Sequence, residues 1–152
     1  MADSELRRYA AFLLGRQDYS IGTLRQKLRD RGAPPAAIEA LLNELISHGY
    51  LNDERYAHNL IISCRARGLS DKAIRLKLLS KQLSPNHLEE MPEDPLESAK
   101  RAWAKISKRY NLSDLKDRQR AAAALARRGF SWDTISSLMR STETGGANTL
   151  RS

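Results

Sequence analysis

The 152-residue sequence predicts an all-α protein built from tandem three-helix repeats. Three observations carry that expectation. Apolar residues recur at spacings of three and four, with no convincing stretch of period-two alternation. Gly, Ser and Pro fall at regular helix stops and starts. Part of this punctuation returns at an offset of 50 residues, and part at an offset of 97.

Each helix follows from its own signals. Leu6, Ala10, Leu13 and Leu14 line one face of the first, and Gly15 ends it. Ser20 caps a second, with Ile21, Leu24 and Leu28 inward and Gly32 as its stop; an N-cap hydroxyl satisfies free N–H groups, and glycine adopts the left-handed turn that closes a helix. Pro34 and Pro35 suit the first turn of a third helix, where a missing N–H costs nothing. Its inward residues are Ile38, Leu41, Leu42, Leu45 and Ile46, up to Gly49. Asn52 or Asp53 opens the fourth, with Tyr56, Leu60, Ile61 and Cys64 inward and Gly68 at its end. Ser70 caps the fifth, with Ile74 and Leu78 inward; Ser84 and Pro85 start a short sixth around Leu88. Ala99, Ala102, Trp103 and Ile106 mark a seventh. An alanine-rich eighth runs through Leu125 to Gly129, and Ser131 opens the last, with Trp132 beside inward Ile135, Leu138 and Met139.

Ser20, Leu24, Leu28, Pro35 and Ile38 superpose on Ser70, Ile74, Leu78, Pro85 and Leu88, while Leu28, Arg31, Gly32 and Ile38 superpose on Leu125, Arg128, Gly129 and Ile135. A three-helix unit of this size is marginal alone and gains by stacking on neighbours. The expected domains are therefore repeat 1 at 1–50, repeat 2 at 51–95 with a Pro-rich linker, repeat 3 at 96–140 and a flexible tail at 141–152. Together they form a short array with room to curve.

Charge narrows the function. The formal net charge of +8 divides as +1 over 1–50, zero over 51–95 and +7 over 96–152. Within the neutral third, the stretch from Arg65 to Lys81 holds Arg65, Arg67, Lys72, Arg75, Lys77 and Lys81 against a single acid, Asp71. Arg101, Lys105, Lys108 and Arg109 recur at helical spacing as one stripe, to which Arg118, Arg127 and Arg128 add. Such stripes neutralise phosphates or meet an acidic protein surface.

No apolar run approaches the roughly 20 residues of a membrane span, and residues 1–8 carry acids where a signal peptide would not. With Cys64 the single cysteine, a reducing, cytoplasmic setting is expected. Catalysis finds no support: His48, His58 and His87 are scattered, no metal-ligand spacing or phosphate-binding glycine loop appears, and Asp53 and Glu54, adjacent on a helix, do not face each other. No enzyme activity, metal or cofactor is expected. Asp53 is read as a helix-start residue and Tyr56, Trp103 and Trp132 as core.

Leu51-Asn52-Asp53-Glu54-Arg55-Tyr56-Ala57, followed by Arg67-Gly68-Leu69-Ser70, Ile74 and Leu78, resembles the central signature of the RecX family of recombinase regulators. Arg127-Arg128-Gly129-Phe130 with Ile135 resembles that family's last repeat, and Leu14 to Leu28 its first. The likeness spans roughly residues 5–140. It departs from the family at Gln82-Leu83, where a glycine is common, and in the short sixth helix before the link at 92–95. The resemblance implies a protein of tandem three-helix repeats that binds the RecA filament on DNA and modulates, usually inhibits, its recombinase, ATPase and coprotease activities. A monomer is expected, and the basic stretches add an expectation of weak, non-specific contact to single- and double-stranded DNA. The alternative is a sequence-specific helix-turn-helix protein using Ser20 to Leu45. Its recognition helix would present Ala36, Ala37, Glu39, Asn43 and Glu44, few of which suit a base edge.

Overall fold

The computed structural model describes residues 2–151, with side chains for residues 2–142. From residue 143 on, the expected flexible tail lies outside the residues described with side chains. Among the described residues the chain is helical throughout, with no strand: α1 (Asp3–Leu14), α2 (Ile21–Asp30), α3 (Pro35–Ser47), α4 (Asp53–Ala66), α5 (Asp71–Ser80), a 3₁₀ segment (Pro85–Glu90), α6 (Pro95–Ile106), a 3₁₀ turn (Ser107–Arg109), α7 (Leu115–Arg127) and α8 (Trp132–Arg151). Two compact units result, Met1–Leu60 with Lys77–His87, and Ile61–Leu76 with Leu88–Ser152.

In the first unit, α1, α2 and α3 bury Leu6, Ala10, Leu13, Leu24, Leu28, Ile38, Leu41 and Leu42 around Tyr19 and Leu51. Ile46 is not among them. It is 42% exposed, while its neighbour Leu45 packs against the core instead. Ser20 caps α2 as expected, accepting the Thr23 N–H at 3.1 Å. Its hydroxyl in turn donates to the Lys81 carbonyl. At the next residue Gln82 stands in the left-handed region at φ 57°, where the corresponding turns carry Gly32 and Gly129. Gly22 makes this possible, since a Cβ there would lie 2.8 Å from the Gln82 Cβ. The departure from glycine at 82 is thus matched by a glycine on the facing helix.

In the second unit, Ala99, Ala102, Ile106, Leu125, Phe130, Ile135 and Leu138 form the core of α6, α7 and α8. The junction motif recurs. The Ser70 Oγ accepts the Ala73 N–H at 3.2 Å, and the Ser70 N–H donates to the Arg128 carbonyl at 3.0 Å. Gly129, at φ +95°, leaves no room for a side chain against Ser70 and Ala73. In each unit, then, the left-handed turn after one triplet's second helix seats on the N-cap serine of the preceding triplet's second helix.

One finding adds to the sequence reading and another corrects it. Charge pins the Pro-rich link at 92–95, which composition did not show: Glu93, its side chain 13% exposed, bridges Arg65 at 2.9 Å and also Arg101. Trp132 is 71% exposed; as the first residue of α8 it projects from the helix start, and the smaller Ile135 and Leu138 fill the interior instead.

Candidate functional site

The signature residues are structural. Asn52, not Asp53, caps α4, its Oδ1 accepting the Arg55 N–H at 3.0 Å. Asp53 Oδ1 accepts the Ile21 N–H at 2.8 Å instead, serving the free first turn of α2. Arg55 Nη2 donates to the Gly49 carbonyl at 3.0 Å, tying α4 to the turn before it. Tyr56 is half-buried, and burial, with Asp18 and Tyr19 nearby, pushes its phenol pKa up. Gly68, at φ +86°, sits where a Cβ would come within 3.2 Å of the Ala102 Cα, and Phe130 is core. Of this set only Glu54 projects into solvent without a described role in the fold.

The basic residues divide into held and exposed. Arg65 is buried, paired with Asp71 at 3.0 Å and with Glu93, so it cannot meet a partner. Arg101 is more exposed but shares Glu93. Burial alone would push the Glu93 carboxyl up; the Arg101 hydrogen bond and the charges of Arg101 and Arg65 outweigh it and hold the carboxyl below its usual value. Arg67 donates to the buried Cys64 Sγ at 3.1 Å, and Arg128 is half-buried beside the junction its carbonyl makes. Lys72, Arg75, Lys77, Lys81, Lys105, Lys108, Arg109, Arg118 and Arg127 are exposed.

The stripe Arg101, Lys105, Lys108 and Arg109 is divided between two elements. α6 ends at Ile106, and Lys108 and Arg109 belong to the 3₁₀ turn, where each residue advances about 120° rather than 100°. α5 is the better-formed surface. With Ile74 and Leu78 fully buried, Lys72, Leu76 and Leu79 climb the opposite face in steps of four and three, flanked by Arg75 and Lys77. Leu76 is 64% and Leu79 53% exposed. Spacing read for basic residues alone did not reveal these leucines; they sit at i+2 from Ile74 and i+1 from Leu78, positions that an inward pattern leaves to solvent.

Known proteins share the repeated three-helix plan. Residues 7–45 match the first three-helix domain of RecX, and residues 92–139 match its third. A regulatory protein RecX of Vibrio parahaemolyticus is 35% identical over 128 residues, which span 82% of this chain and 83% of that protein. The chain belongs to the RecX family. A second relative, regulatory protein RecX of Pseudomonas fluorescens, is 35% identical over 139 residues, covering 88% of this chain and 89% of its own. The crystal structure of RecX from Lactobacillus salivarius superposes with a TM-score of 0.77 over 93% of this chain and 97% of that one, at 22% identity, so the RecX fold of repeated three-helix units is retained where most side chains differ.

Proposed function

We propose that this RecX protein binds the RecA filament on DNA and inhibits its recombinase, ATPase and coprotease activities, acting as a monomeric cytoplasmic regulator without catalytic chemistry of its own. The observation that carries the reading beyond family membership is the outer face of α5. Two exposed leucines in a rim of Lys72, Arg75 and Lys77 suit a protein surface with an apolar centre and acidic edges; a phosphate backbone would gain nothing from the leucines. Lys105, Lys108, Arg109, Arg118 and Arg127 supply weak, sequence-independent attraction to DNA.

The helix-turn-helix alternative finds no matching surface. Of the residues α3 would present, Glu39 pairs with Arg25 at 3.1 Å and Glu44 with Arg7 at 2.7 Å. Two acids on the reading helix would oppose phosphate. The test is co-sedimentation with RecA filaments assembled on single-stranded DNA. The parent should pellet with the filaments, and a Leu76→Ser, Leu79→Ser variant with an unchanged circular dichroism spectrum should stay largely in solution. A variant that pellets like the parent would remove α5 from the interface.

A further inference from the structure

A second surface, unrelated to α5, lies on α1 and the end of α2. Glu5, Arg8, Tyr9, Phe12 and Arg31 line an open depression of about 410 Å³. Phe12 is 57% exposed, whereas Leu6, Ala10 and Leu13 of the same helix are buried. Arg16 lies over the Phe12 ring at 5.3 Å from its centroid, and Arg31 over the half-buried Tyr9 ring at 4.4 Å. Among the described residues, neither Arg8, Arg16 nor Arg31 is paired with a carboxylate. Glu5 is the one acid at the edge.

The geometry points to a single-stranded nucleic-acid site in which bases stack on Phe12 and the Tyr9 edge while Arg8, Arg16 and Arg31 meet the phosphates. Aromatic rings beside guanidinium planes are what unpaired bases stack upon, in a sequence-tolerant way. The two rings stand one helical turn apart, on the order of 5–6 Å between Cβ atoms. A base stacked on either ring must be free of its pairing partner, so the site offers little to a closed duplex. A protein partner with an apolar surface would leave three guanidiniums unmatched. This inference does not depend on the α5 reading, since no residue is shared.

The experiment is fluorescence anisotropy at low salt with three labelled probes of equal length: oligodeoxythymidine, an abasic strand of the same charge, and a duplex. Phe12→Ala should weaken oligodeoxythymidine binding about tenfold while leaving the abasic strand and the duplex within twofold of the parent. Arg16→Gln with Arg31→Gln should weaken both single strands. Because Phe12 is exposed, its variant keeps the fold, which circular dichroism checks. Equal binding of oligodeoxythymidine by parent and Phe12→Ala, or equal loss for thymidine and abasic strands, would overturn the site. Loss of filament binding on changing Leu76 and Leu79, with these ratios intact, would leave it standing.

Discussion

Asp53 works across the fold rather than within its own helix. Adjacent carboxylates at a helix start suggest capping of that helix, yet Asn52 does that work, and Asp53 reaches the Ile21 N–H of α2. Asp53→Ala should lower stability by about 1 kcal/mol, read as a shift in the urea midpoint, and should raise hydrogen exchange at Ile21 rather than at Arg55. Asn52→Ala should do the reverse. Glu93 has a pH signature. Its folded pKa lies below the ordinary value of 4.5, so its contribution is fully present above that pH and is lost as pH falls through the lower, folded value. Stability should fall below about pH 4.5. Glu93→Gln should cost about 2 kcal/mol at neutral pH and flatten the acid limb; an unchanged limb would show that another carboxylate governs it.

At the scale of elements, the junction between triplets makes a reciprocal prediction. Alanine normally stabilises a helix relative to glycine by about 1 kcal/mol, but at position 22 the new methyl would press on Gln82 at 2.8 Å from its Cβ. Gly22→Ala should therefore destabilise, and adding Gln82→Gly should restore the loss, a coupling that a double-mutant cycle reads directly. Helix positions and stops were legible in the sequence because Ser20, Ser70, Gly32, Gly68 and Gly129 act locally. The partners of these residues were not legible: that Ser20 meets Lys81, Ser70 meets Arg128 and Glu93 grips Arg65 depends on contacts between residues tens of positions apart. The same holds for His58 and His87, distant in sequence, whose rings meet edge-on with centroids 6.2 Å apart. The element boundary inside the basic stripe was not legible either, because Ser107 carries no stop signal where the helix passes from α to 3₁₀. Trp132 failed because a first-turn position has no preceding turn to cover it.

For the whole molecule, the net charge of +8 misplaces some of the functional surface. The first third sums to +1, yet Arg8, Arg16 and Arg31 stand there without a carboxylate partner among the described residues, while Glu39 and Glu44 are tied to Arg25 and Arg7. Conversely Arg65 counts as charge but is sealed in the fold. A charge-reversal test of DNA binding should therefore omit Arg101, which holds Glu93, and change Lys105, Lys108 and Arg109 to Glu. If each contacts one phosphate, the log-log salt slope on duplex DNA should become shallower by about 2.7, without loss of helicity. An unchanged slope would place those three side chains away from the phosphates.

The proposed regulation of the recombinase through α5 is read in the rate of ATP hydrolysis by RecA on single-stranded DNA. Titrating the parent protein should lower that rate in a saturable way, and the Leu76→Ser, Leu79→Ser variant, equally folded, should need at least tenfold more protein for the same effect. A hydrolysis rate that stays constant at every ratio of the two proteins would contradict the account.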